Sequence, residues 1–134
     1  MPQKLNEIIK KSAFEIKPGR YIYAKVANFP DPKKHFMIAK DAEEITVVTK
    51  EKNLRELNLM EKNKDFYTLI ALNVSIPFYS VGFLAAVSGA IAKAKMDILI
   101  ISTYSKDYIL VREDYRGKTK KILRALGLTE KNKI

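Results

Sequence analysis

Two short stretches hold the residue types that could recognise a small molecule. Ser80-Val81-Gly82-Phe83 opens a segment with helical spacing, and Ser102-Thr103-Tyr104 ends an apolar run shortly before Asp107. At a helix start the first backbone N–H groups have no partner inside the helix, and together with the helix dipole they favour a carboxylate or phosphate. Ser80 is a good N-cap type, and Gly82 has no side chain to obstruct approach. In a strand–helix–strand unit, the helix starts at the sheet edge where the second strand ends. Ser102, Thr103 and Tyr104 are therefore expected beside Val81 and Gly82, with Asp107 across a tight bend. A positive helix end facing an acidic side chain suits a zwitterion, its carboxylate on the amides of 80–83 and its ammonium on Asp107. The other reading open to these residues is that Thr103 and Asp107 only cap the turn.

These positions require particular elements around them. Phe66 to Val74 is rich in Tyr, Leu, Ile and Val and reads as a strand. Ser80 to Lys95 reads as a helix, with Leu84, Val87, Ile91 and Ala94 recurring at helical spacing. Its many Ala, Ser and Gly residues make it narrow enough to lie close to a sheet. Ile98-Leu99-Ile100-Ile101 is apolar on both faces, as expected of a central, covered strand. Thr103 to Lys106 turns back into a strand at Asp107–Val111, and Lys118–Leu126 is a second helix facing inward through Ile122, Leu123 and Leu126. Strand, helix, strand, strand, helix describes a ferredoxin-like half. The class is α+β, with an antiparallel or mixed sheet and helices on one face.

The N-terminal half is richer in strand signals. Leu5, Ile8 and Ile9 share a helical face within residues 3–11. Phe14–Ile16 and Tyr21–Ala27 alternate, and Pro18-Gly19 between them predicts a hairpin. Phe36–Lys40 and Glu44–Thr49 are two more strands joined by Asp41-Ala42-Glu43. Asn53–Glu61 reads as a charged connector. The expected organisation is an N-terminal helix or extension (1–12), a partial, β-rich first lobe (13–64), a second lobe (65–127) and a basic tail (128–134).

Composition narrows the function classes. The 134 residues are 47% apolar and contain no Cys, so neither a disulfide framework nor a thiolate metal site is available. Residues 1–20 lack a basic-then-apolar leader, so a cytoplasmic location is expected. No charge interrupts Phe66–Ala92, yet Asn73, Ser75, Pro77, Tyr79 and Ser80 fall in its middle. Such groups are costly in a bilayer, so no membrane span is expected.

The net charge of +10 is carried by the ends: residues 12–115 contribute only +2. A basic surface on the last helix, through Lys118, Lys120, Lys121 and Arg124, is the alternative reading as a nucleic-acid contact. Lys dominates over Arg, however, and Arg is the favoured reader of phosphates and base edges. Nucleic acid is accordingly the lesser expectation, and stacking by Tyr21, Tyr23, Phe78 or Tyr104 is less expected than a place in the core or a pocket wall.

Catalysis has little support. His35 is the only His, and Glu43-Glu44 straddles opposite faces of a strand, a poor general acid/base pair. No Walker A, nucleophile elbow or zinc spacing occurs. The expectation is no enzyme activity and no cofactor.

Ile101-Ser102-Thr103-Tyr104-x-x-Asp107-Tyr108-Ile109-Leu110-Val111, preceded by Pro77-Phe78-x-x-x-Gly82-x-Leu84, resembles the signature of the ACT-domain family. It is similar in particular to small tandem-ACT proteins related to the cytosolic arginine sensors of animals. The likeness extends to Pro18-Gly19-Arg20-Tyr21 and Asp41-x-Glu43-Glu44-Ile45-Thr46-Val47-Val48, and so spans roughly residues 14–126. This chain has Met37-Ile38-Ala39-Lys40 where the family usually has a Thr- or Ser-rich segment with an Arg. The resemblance implies a tandem-lobed, ferredoxin-like regulatory module. It would sense an amino acid allosterically, within a homodimer and beside a separate metabolic enzyme. Contacts would come from Ser80, Val81 and Gly82 at the helix start and from Thr103, Tyr104 and Asp107 on the hairpin. A third expectation is a structural role, in which an exposed sheet edge holds a homodimer together.

Overall fold

A computed structural model of the chain describes residues 3–75 and 81–131. In chain order the elements are helix α1 (Gln3–Lys10), strands β1 (Ala13–Ile16) and β2 (Tyr21–Val26), a 3-10 turn at Pro32–Lys34, then β3 (Met37–Lys40) and β4 (Ile45–Lys50). A second 3-10 segment, Glu51–Glu56, leads to β5 (Leu59–Lys62) and β6 (Tyr67–Asn73). Helix α2 (Phe83–Lys93), strands β7 (Leu99–Ser102) and β8 (Asp107–Arg112), a 3-10 turn at Glu113–Tyr115, helix α3 (Arg116–Leu126) and strand β9 (Thr129–Glu130) follow. The chain divides into two compact units, Met1–Pro18 with Thr68–Ile134, and Gly19–Tyr67.

In the longer unit the strands lie in the order β7, β8, β6, β1, β9. The β7–β8 pair is antiparallel with Ser102 opposite Asp107, β1 runs antiparallel to β6 with Phe14 opposite Leu72, and β9 runs parallel to β1. Ile70 and Leu72 of β6, Ile109 and Val111 of β8, and Phe14 of β1 meet Phe83, Val87 and Ile91 of α2, Leu123 of α3, and Leu5 and Ile9 of α1 in one core. The spacing explains it: alternate strand residues share a face, and helix residues four apart share another. Strand, helix, strand, strand, helix is the expected ferredoxin-like order, with helices α2 and α3 contributing to the same core.

In the shorter unit the order is β3, β4, β2, β5, antiparallel throughout. Its interior holds Tyr21, Ile22, Ala24, Val26, Val47 and Val48. Tyr21 meets Phe36 edge to face at 6.3 Å, and the Arg20 guanidinium lies 3.7 Å over the Phe66 ring. Asp41 shapes the β3–β4 turn by accepting from the N–H groups of Glu43 and Glu44 at 2.8 and 2.9 Å. Those two bonds hold its carboxyl below the usual range.

Several elements differ from the sequence-based expectation. Strand β1 takes its ladder from β6 and β9, and β2 takes its own from β4 and β5, so the Pro18-Gly19 turn does not close a hairpin. The alternation was right for both strands, but alternation does not say which strand lies alongside. The connector at 53–61 runs into β5, whose four exposed residues show no alternation. Of the expected basic tail, Leu128 is buried and Thr129–Glu130 forms β9. The continuous buried runs belong to β6 and β8, whereas β7 pairs only with β8 among the described residues and leaves Ile100 42% exposed. It is an edge strand, not a central one.

Candidate functional site

The cleft of the longer unit is assembled from the start of α2 and the β7–β8 bend. Helix α2 begins at Phe83, with Gly82 as its N-cap in the left-handed region at φ 87°. The helix thus starts three residues later than the sequence suggests, and it ends at Lys93, because Lys95 turns left-handed at φ 62°. A left-handed residue cannot sit inside a right-handed helix, and at a cap glycine adopts it with the least strain. The expected N-cap, Ser80, lies outside the described residues. Among the described residues, no side chain caps this end. The first intrahelical bond runs from Ala86 N–H to the Gly82 carbonyl at 2.9 Å, so the N–H groups of Phe83, Leu84 and Ala85 precede the helical ladder.

Packing holds that helix start in place. A Cβ on Gly82 would come within 3.2 Å of Leu5 Cδ2, so α1 sits directly against the cap. Phe83 is 2% exposed and anchors the first turn in the core. Its side chain is therefore structural, and only its backbone is available to a ligand. Ser12 holds Ser75, just beyond β6: its hydroxyl donates to Ile8 O at 2.6 Å and accepts from Ser75 N–H at 3.0 Å.

The facing wall is the hairpin bend. Thr103 N–H donates to Lys106 O at 2.8 Å, and the Thr103 hydroxyl donates to the same carbonyl at 3.2 Å. The Ser102 hydroxyl donates to Asp107 Oδ1 at 2.6 Å across the register pair. Thr103 and Asp107 therefore do cap the turn, as one of the two readings of the sequence had it. One donated hydrogen bond leaves a carboxylate with further acceptor capacity, so this does not exhaust Asp107.

Between the two walls lies a cleft of about 370 Å³. It is lined by Val81, Gly82 and Phe83 on one side and by Ser102, Thr103, Tyr104 and Asp107 on the other, together with Leu84 and Ala85. Seven of the eight residues singled out from the sequence thus line one cavity. Val74, Ser105 and Lys106 line it too and were not singled out. Lys106 was legible as the one cation in the bend; Val74 was not, since nothing in a strand's last residue announces a cavity. Val81 is 89% exposed and Tyr104 85%, an apolar and an aromatic side chain left at the rim.

The basic helix surface reads differently from its sequence. Glu130 on β9 bonds Arg124 and lies 3.2 Å from Lys120 Nζ. Burial raises the Glu130 carboxyl pKa, but the Lys120 and Arg124 bonds outweigh it and the net shift is downward. Two of the four expected phosphate contacts are thus engaged by a carboxylate, leaving Lys118 and Lys121 exposed. Among the described residues, no group of three or more His, Asp or Glu could hold a metal ion, and no helix is long and apolar enough to cross a membrane.

Comparison with known proteins gives a consistent fold. Residues 63–125 match the family model of the ACT domain. VC0802 of Vibrio cholerae, a protein of unknown function, superposes with a TM-score of 0.78 at 18% identity over 93% of this chain and 97% of its own. Atu0741 of Agrobacterium tumefaciens gives 0.70 at 17% identity, over 92% and 94%. The ligand-free regulatory subunit of aspartate kinase from Thermus thermophilus gives 0.60 at 9% identity, over 86% and 95%. No curated protein matches the chain.

Proposed function

Residues 63–125 form an ACT domain, and from that premise we propose that the chain is a non-catalytic regulatory module that binds a small amino acid in the α2–hairpin cleft. The observation that carries this reading is the juxtaposition in one cavity of uncapped helix-start amides and the Asp107 carboxylate. The ligand carboxylate sits at the amides of Phe83, Leu84 and Ala85, where the helix dipole favours negative charge. Its ammonium meets Asp107, which the Ser102 hydroxyl holds in orientation. A cleft of about 370 Å³ is at the small end of ligand sites, in keeping with a single metabolite.

The module acts on a separate enzyme in this reading, and a second copy of the chain docks on edge strand β7, where Ile100 is exposed. Light scattering checks the dimer; a strict monomer at high concentration would remove it. Ligand binding is tested by thermal shift against the twenty amino acids. At a hundredfold excess over Kd, a ligand that binds only the folded state adds about 2.7 kcal/mol. Asp107→Asn should abolish that shift while retaining an acceptor for Ser102. A shift that survives the substitution, or none with any amino acid, refutes the site. The nucleic-acid reading draws less support, because Glu130 already engages Lys120 and Arg124.

A further inference from the structure

A second cavity, of about 450 Å³, lies wholly within the Gly19–Tyr67 unit. Four lysines line it, Lys33, Lys34, Lys50 and Lys52, against one carboxylate, Glu56. That excess of three positive charges exceeds the net +2 of all residues 19–67, so the cavity gathers the unit's positive charge in one place. Lys34 bonds Glu56, whereas Lys33, Lys50 and Lys52 have no ion pair among the described residues. Three uncompensated ammonium groups around one concavity repel each other, an arrangement that a bound anion relieves.

The lysines are not merely scattered over a surface. The Lys50 stem is held against Gly19: a Cβ there would meet Lys50 Cδ at 3.2 Å and Cε at 3.3 Å, and Gly19 stands at φ 98°. His35 is half-buried in the cavity wall. Its Nδ1 lies 2.9 Å from Thr49 Oγ1, which leaves Nε2 as the other polar atom of the ring. The Asn53 amide donates to Lys34 O at 2.9 Å and fixes the loop that carries Lys33 and Lys34. Phe36, packed edge to face on Tyr21, supplies an aromatic wall.

From this we infer that the cavity binds a small phosphorylated molecule. Lysine ammonium groups are strong point-charge partners for phosphate. The volume is sufficient for a metabolite of nucleotide size, and the aromatic wall favours one with a planar group. The site shares no lining residue with the α2–hairpin cleft, so it stands or falls independently of the amino-acid reading.

The test is calorimetric titration of the full chain with three probes: inorganic phosphate, pyrophosphate and ATP. ATP or pyrophosphate should saturate a single site, and the double variant Lys33→Gln/Lys52→Gln should weaken it roughly tenfold or more. Both lysines are exposed, so the variant should keep its melting temperature. Asp107→Asn should leave phosphate binding unchanged. Tighter binding of ATP than of pyrophosphate would assign the aromatic wall to a base; equal binding would assign recognition to the phosphates alone. Either result supports the site. No saturation by any probe up to about 10 mM, equal binding by wild type and double variant, or binding only to an RNA oligonucleotide would overturn it.

Discussion

The two units hold their candidate sites by different physical means. In the longer unit the candidate site is built of backbone amides at a helix start, with one acidic side chain opposite. The shorter unit has no α-helix, only four strands, the beginning of β6 and 3-10 turns, and its cavity is faced by side-chain cations. A helix that stops at a sheet edge presents dipoles whatever its sequence, provided small residues let a ligand approach. A helix-free sheet must rely on side chains instead. The first site accordingly shows itself in sequence as Gly82 at the start of a helical period with Asp107 beyond the next strand, the second as a local excess of Lys.

This contrast can be broken from either side. The largest expected effect is Phe83→Ala, which empties the core beneath the helix start and should cost about 3–5 kcal/mol of stability. Chemical denaturation measures it; a loss below about 1 kcal/mol would mean that the first turn is not anchored there. Next is Gly82→Ala. It forces a Cβ onto a left-handed cap, 3.2 Å from Leu5, and should cost about 1–2 kcal/mol. If the contrast holds, phosphate binding in the other unit stays intact in this variant while the amino-acid shift is lost. Lys33→Gln/Lys52→Gln should reverse that pattern, with stability changed by no more than about 0.5 kcal/mol.

The smallest effect is a pH dependence at the β3–β4 turn. Asp41 has its carboxyl held below its ordinary 3.8 by the Glu43 and Glu44 amides. Its contribution is present above that ordinary value and fades as pH falls through the lower folded value. The melting-temperature gap between wild type and Asp41→Ala should therefore narrow on acidification below about pH 4. A gap that is flat across that range would remove the charge from the explanation.

Much of this architecture was legible in the chain. Helical spacing located both α2 and α3, and Ile98 through Val111 announced two strands with a bend between. The residues facing the α2–hairpin cleft followed from one topological rule, that a helix begins where the next strand ends. What escaped has physical reasons. Periodicity reports which face of a strand is buried, not which neighbour it bonds; hence β1 was expected beside β2. Hydrophobicity on both faces suggests a central strand at 98–101, but an edge strand can carry Ile100 outward. Strand β5 is wholly exposed, and its Leu59-Met60-Glu61-Lys62 does not alternate, so no strand period marks it. Charge on α3 was visible, but the carboxylate that engages it comes from a two-residue strand too short to read.

Because β1 is hydrogen-bonded between β6 and β9, the sheet of the longer unit needs strands from both sides of the Gly19–Tyr67 segment. During synthesis the segment from Gly19 to Tyr67 is complete while the first strand still waits for a neighbour more than fifty positions downstream. The shorter unit can therefore organise early, and the longer unit closes only once β6 and β9 have left the ribosome. Removing the first eighteen residues would strip the inner edge of β6 of its mate, and a fragment beginning at residue 63 would emerge with that edge bare.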